Sequence, residues 1–173
     1  MGTTNNKIII LDNVFTKEEC LSMISYYNNN ISSSQFNKET LNNFIDINLN
    51  DSFLSPKIRK VENIARNNYD PNIGIDWGHV VNWPVGASHN LHLDFRKQDT
   101  VLSSITYLND DYTGGETFIK DDLQIIPKVG RTIFFNGQQY VHGVKKILSG
   151  SRYSLPLWYK MYDPALNGPK ITR

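Results

Sequence analysis

An α+β fold, helices first and then a sandwich or barrel of short antiparallel strands, is what this sequence predicts. Three observations carry the expectation. The N-terminal third shows apolar residues at helical spacing. From about Ile73 onward the pattern switches to short β-branched and aromatic runs. Those runs are separated by turn signals such as DDYTGGE at 110–116 and PKVG at 127–130. Helices followed by strands is the α+β order, and many short strands of this kind close into sandwiches or barrels.

The first element is a strand over Lys7 to Leu11, stopped by Asp12-Asn13. TKEE at 16–19 is a capping box, in which Thr16 and Glu19 satisfy each other's end of the first turn. Cys20, Leu21, Met23, Ile24 and Tyr27 then supply an apolar helical face. A second helix begins at SPKIRKVENIARNNY, with Ser55 as N-cap and Pro56 at the first helical position. Leu54, Ile58, Val61, Ile64 and Ala65 keep its spacing. Between the helices, SSSQFNKETLNNFIDINLND is polar and aperiodic and reads as a long loop over about 34–52, a length that marks function or mobility. The expected strands are IDWGHVVNWPVG, TVLSSITYLND, GETFI, LQIIP, GRTIFFNG and RYSLPLWYKM.

The 173 residues fit one domain, with helical support over about 1–70 and a strand-rich core over about 71–163. Hydrophobic residues at 39% and aromatics at 12% are enough to build a core. Net charge is +1 with no basic stripe, which removes the electrostatic case for a nucleic-acid partner. The longest apolar run, IIIL at 8–11, is too short to cross a bilayer, and MGTTNNK has no apolar signal region. One cysteine, Cys20, excludes an internal disulfide and fits a reducing compartment. The expected location is intracellular, with no membrane partner.

The chemistry concentrates in HNLHLDF at 89–95. On a strand, residues two apart share a face, so His92 and Asp94 can reach one cation while Leu93 turns away. A third ligand is open among His79, His89 and His142. His79 in DWGHVV reads as a partly buried, hydrogen-bonded histidine, and His89 as a turn residue. His142 is the best placed, because YVHGVKK follows the strand RTIFF and Gly143 lets the backbone approach closely. Two histidines and a carboxylate on one face form the triad of non-haem ferrous oxygenases, although zinc or nickel would satisfy the same donors. Further on, Arg152 and Ser154 share a strand face in GSRYSLPLW. A guanidinium fork with a hydroxyl beside it can grip a carboxylate. Arg152 falls about ten positions past His142, which suggests the next strand and a shared cavity.

With these pieces in place, the chain resembles the 2-oxoglutarate- and iron(II)-dependent dioxygenases of the prolyl 4-hydroxylase-like branch. The resemblance rests on His92-Leu93-Asp94, ITYLNDDYTGGETF at 105–118, PKVGRTIFFNGQQYVHGV at 127–144 and SRYSLPLW at 151–158, in family order across about 77–161. IIILDNVFTKEEC is similar to the opening of the same branch. The resemblance implies a double-stranded β-helix, or jelly-roll, with the N-terminal helices packed on one sheet. It implies Fe(II) held by His92, Asp94 and His142, with 2-oxoglutarate and dioxygen as co-substrates and ascorbate as an auxiliary reductant. Arg152 would bind the distal carboxylate of 2-oxoglutarate, supported by the Tyr107 hydroxyl, by Ser103 on the same strand face, and by Ser154. Trp158 would line the cavity and Ile105 form an apolar wall.

Three departures stand out. Trp83 in NWPVG occupies a slot where the branch often has tyrosine, Arg152 replaces the lysine of many relatives, and NNFIDINLND differs from the usual Arg-Thr-Ser lid. The implied activity is hydroxylation of a prolyl residue in a peptide or protein, releasing succinate and carbon dioxide, with the 34–52 loop closing over an extended substrate. A second reading keeps the chemistry on another protein side chain or a small molecule. A third is a non-catalytic jelly-roll binding module with a vestigial metal site.

Overall fold

In the computed structural model, which describes residues 7–94, 99–119 and 123–162, helices come first and strands follow. Strand β1 (Ile9–Leu11) precedes helix α1 (Lys17–Asn29), strands β2 (Gln35–Asn37) and β3 (Asn42–Asp46), and helix α2 (Ser55–Asn68). Then come β4 (Ile73–Trp83), β5 (His89–His92), β6 (Thr100–Tyr107), β7 (Thr113–Gly114), β8 (Thr117–Ile119) and β9 (Leu123–Ile125). The last are β10 (Thr132–Phe135), β11 (His142–Val144), β12 (Ile147–Ser149) and β13 (Arg152–Met161). No helix among the described residues is long and apolar enough to cross a membrane.

The capping box forms as expected, with Glu19 N–H on Thr16 Oγ1 at 3.2 Å and Thr16 N–H on Glu19 Oε2 at 2.9 Å. Cys20, Met23 and Tyr27 are buried, but Leu21 is 51% exposed, so the apolar face is narrower than the sequence suggested. Ser55 is not the N-cap of α2. The helix starts at Ser55 itself, and Asp51 Oδ1 accepts the N–H groups of Phe53 and Leu54 at 2.9 and 2.8 Å instead. A carboxylate at this end also suits the helix dipole.

The segment expected as a loop contains the β2–β3 hairpin. Its tip is tied by Asn37 Oδ1, which accepts the Glu39 N–H at 2.9 Å, while Leu41 turns the chain at φ 57°. Strand β3 adds to the edge of β4, pairing Phe44 with Val81 and Asp46 with His79. An edge hairpin needs few apolar residues, because one of its faces meets water, and so its polar composition imitates a loop.

Two antiparallel sheets form the core. The larger runs β1-β10-β6-β13-β4-β3-β2 and the smaller β5-β11-β8-β9, with β12 and β7 as a separate ladder. From β4 to β6, and from β10 to β13, the chain steps back and forth between the two large layers, which is the jelly-roll path. On the large sheet the alternation of side chains assigns two faces. Leu102, Leu155, Leu157 and Tyr159 turn toward the helices and pack with Met23, Ile58, Val61 and Ala65. The opposite face, carrying Ser103, Ile105, Ser154 and Trp158, looks into the space between the sheets.

Candidate metal centre

Between the sheets lies a cavity of about 400 Å³ lined by His92, Asp94, His142, Arg152, Ser154 and Trp158, among others. Strands β5 and β11 place the histidines, since His92 and His142 are direct cross-strand partners. Asp94 falls just beyond β5, so it does not share a strand face with His92 as the sequence spacing suggested, and Leu93 lines the cavity rather than turning away. The carboxylate is placed where the chain leaves β5, fixed by the Asp94 N–H donating to Gly137 O at 2.8 Å.

His92 Nδ1 lies 2.8 Å from Asn90 O, and His142 Nδ1 lies 2.9 Å from Tyr140 O. A carbonyl only accepts, so each Nδ1 carries the proton and each Nε2 presents a lone pair. Those two lone pairs sit 3.7 and 3.6 Å from Asp94 Oδ1, beyond hydrogen-bonding reach, and the three ligand atoms lie within 4.8 Å of one another. Three electron donors therefore converge with no proton between them, an arrangement that a cation completes.

Burial, with help from His142, holds His92 below the ordinary histidine value. Burial and the neighbouring rings take His89, which stacks on His92 at 3.6 Å, down to about 4. Burial alone would raise the Asp94 carboxyl, but its contacts with His142 and Ser103 bring it below the usual range. At neutral pH the carboxylate is charged, and His89 and His92 are neutral.

At the other end, Arg152 on β13 is 1% exposed. Its Nη2 donates to Thr117 Oγ1 at 3.2 Å, and the Tyr107 hydroxyl donates to the same oxygen at 2.7 Å. The guanidinium carbon stands 5.2 Å from the Trp83 ring and 5.3 Å from the Tyr107 ring. Its Nε and Nη1 have no hydrogen-bond partner among the described residues. Burying a charge without a counter-charge is costly, so this end is built for an anion.

The register of the large sheet orders the floor between these ends. Tyr107, Ser154, Val81 and Phe44 stand in one cross-strand row, and Ser103, Trp158 and Trp77 in another. Trp77 and Trp158 stack at 3.8 Å with ring planes 6° apart, and His79 meets both edge-on. Ser103 belongs to the tryptophan row and touches Asp94, so the aromatic wall lies beside the triad, away from Arg152 along β13. Asn37, Glu39, Thr40 and Asn42 of the hairpin line another side.

Several expectations need correcting. The Ser103 hydroxyl is spent on Asp94 Oδ2 at 2.6 Å rather than turned toward Arg152. The Tyr107 proton goes to Thr117, and the ring is fully buried beside the guanidinium. Ser154 accepts from Trp83 Nε1 at 3.2 Å, which also gives the Trp83 indole its partner. Trp158 lines the cavity, as does Ile105. His89 opens β5 and touches the triad instead of marking a turn. His79 is the buried, partnered histidine the sequence suggested, its Nδ1 3.0 Å from Asp46 Oδ1, and it also joins the aromatic wall. Arg152 is not on the strand after His142, because β12 intervenes. Thr117, Gly137 and Trp77 were missed. Thr117 and Gly137 sat inside quoted motifs and Trp77 inside an expected strand, but nothing in those motifs marked which of their residues would touch the site.

This fold and this cluster define a class: jelly-roll proteins with a two-histidine, one-carboxylate face. Residues 78–160 match the family model described as the 2OG-Fe(II) oxygenase superfamily. Over that stretch the chain is similar to members of the superfamily. Human prolyl 3-hydroxylase 2 is 39% identical over 69 residues, 36% of this chain and 10% of that protein. Chicken prolyl 3-hydroxylase 1 is 33% identical over 69 residues, 36% of this chain and 9% of that protein. The chain thus spans about a tenth of the length of the curated relatives it matches. Among solved structures, a Pseudomonas putida prolyl-4-hydroxylase superposes with TM-score 0.77 at 18% identity, covering 92% of this chain and 95% of that one. A Trichoplax adhaerens prolyl hydroxylase in complex with a hypoxia inducible factor peptide fragment gives 0.76 at 18% identity, covering 91% and 84%. At such identity these two speak for the fold.

Proposed function

We propose that the chain is a 2-oxoglutarate- and Fe(II)-dependent dioxygenase that hydroxylates a prolyl residue in a peptide or protein. One observation carries the reading. A single cavity holds three converging proton-free donors and, on the facing sheet, a buried guanidinium with two nitrogens, Nε and Nη1, that have no partner among the described residues. A dicarboxylate whose one end chelates a metal and whose other end is an anion fits both requirements.

In this reading His92, Asp94 and His142 hold Fe(II) on one face, and Arg152 takes the distal carboxylate, with Ser154 free to add a proton bond. Bound iron would let dioxygen act as the oxidant, with 2-oxoglutarate giving up two electrons as it loses carbon dioxide; one oxygen atom would end in succinate and the other in the hydroxylated C–H bond. The protein's own task is orientation and exclusion of water. The backbone carbonyls of Asn90 and Tyr140 fix both rings. The aromatic wall of Trp77 and Trp158 suits an apolar ring such as that of proline, since flat aromatic surfaces are how many proteins grip proline-rich segments. The names of the relatives support the same substrate class.

The test is succinate release by the iron-loaded protein with and without proline-rich peptides. The expected result is stimulation by such peptides and a mass gain of one oxygen on proline, with product analysis reporting which ring carbon is modified. Succinate release indifferent to every proline peptide would move the substrate to another side chain or a small molecule. No 2-oxoglutarate turnover at all would defeat the enzyme reading.

A further inference from the structure

We propose that Ser103 and Gly137 act together as a positioning pair that restricts Asp94 to ligation through one oxygen; the proposal rests on reading the triad as a metal site. Asp94 lies past the end of β5, so no strand ladder holds it. Two local contacts do so instead. Its N–H donates to Gly137 O at 2.8 Å, and its Oδ2 accepts the Ser103 hydroxyl at 2.6 Å. The pairing of Ser103 with Phe135 brings the segment after β10 alongside β6, which puts both contacts on one side of the carboxylate.

Gly137 contributes by what it lacks. A Cβ at that position would collide with Asp94 Oδ2 and with Ser103 Oγ. The carboxylate therefore occupies space that only glycine leaves open, with Oδ2 turned toward β6 and Oδ1 toward both Nε2 atoms. A carboxylate free to rotate can offer both oxygens to a metal and so consume another coordination position. With Oδ2 committed to a hydroxyl, that position stays open for the co-substrate. Partners of this kind, which touch the ligand and not the metal, typically change metal affinity 10–100-fold, on the order of the effect expected here.

The test uses the full chain with Co(II), a spectroscopically visible probe that is stable in air. Wild type, Ser103→Ala, Ser103→Thr and Gly137→Ala are titrated, and affinity, the intensity of the visible Co(II) band and the melting temperature of the metal-free form are recorded. The expected result for Ser103→Ala is about 10–100-fold weaker Co(II) binding. Its band should also weaken, as the freed Oδ2 raises the coordination number, while the metal-free melting temperature stays close to wild type. Ser103→Thr keeps a hydroxyl and restores affinity and band. Gly137→Ala, which evicts the carboxylate, is weaker than Ser103→Ala. Should Gly137→Ala fail to fold, the Ser103 pair decides alone. Ser103→Ala with wild-type affinity and band overturns the proposal, as do equal losses in Ala and Thr variants. A wild-type chain that binds no Co(II) would instead defeat the metal-site reading, and this inference with it.

Discussion

Arg152 shows how much one side chain can reveal, because its burial makes sense only with an anion beside it. Arg152→Lys keeps the charge but loses the planar fork, and the half-saturating 2-oxoglutarate concentration should rise about tenfold. Arg152→Gln loses the charge as well, and about a hundredfold is expected, from roughly 1.5–3 kcal/mol per bond to a charged group. Equilibrium binding of 2-oxoglutarate checks both, and an unchanged Arg152→Gln would mean the anion sits elsewhere. Cys20 makes the opposite case. It is fully buried, and burial pushes its thiol up to about 11, so it should resist iodoacetamide at pH 8 in the folded chain and react once urea is added, as read by mass spectrometry. At this scale the sequence was legible wherever chemistry names itself. His92, Asp94, His142 and Arg152 all converge on one cavity, because few other roles suit those residue types at those spacings. Ser103 was assigned the wrong neighbour, since strand spacing tells which face a hydroxyl occupies but not which of two groups on that face it reaches. Gly137 could not be read at all, because its part is an absence of atoms.

Among the elements, α1 was the most legible, since its start is written in two side chains that satisfy each other. Thr16→Ala should cost about 1 kcal/mol of stability, measured by urea denaturation, with no change in the denaturant slope. The long strands β4, β6 and β13 were also visible, their alternation running over many residues. Of the elements of three residues or fewer, β1, β8 and β9 fell inside expected strands, whereas β2, β7, β11 and β12 did not. β12 and β7 gain their order from each other, through pairs such as Thr113 Oγ1 with Ser149 Oγ at 2.7 Å, and such pairing is invisible along the chain. The β2–β3 hairpin escaped for a related reason. Its backbone bonds to β4 hold it in place, and its side chains were left polar to face water and the cavity rim.

For the whole molecule, the metal-free chain holds His89 and His92 below their ordinary value of 6.5, with His89 near 4. The unfolded chain therefore takes up protons below about pH 6.5 that the folded chain refuses, so stability should fall as pH drops through that window toward 4. Thermal melts of the metal-free protein at pH 7 and pH 5 check the sign. Added Fe(II) under anaerobic conditions should raise the melting temperature at pH 7 by mass action and do so less at pH 5, where protons compete for the same lone pairs. The α+β class with a sandwich or barrel of short strands was legible because turn spacing constrains layer architecture, while the jelly-roll itself was implied only by the family resemblance. The path between layers was not legible, since it depends on which short strands meet. That path has a consequence of its own. The triad hangs from the small sheet and the guanidinium from the large one. A co-substrate gripped at both ends would thus be a strut across the seam of the sandwich, and its departure would let the two layers breathe apart. Amide exchange along β11 and β13 should quicken together when the strut is withdrawn.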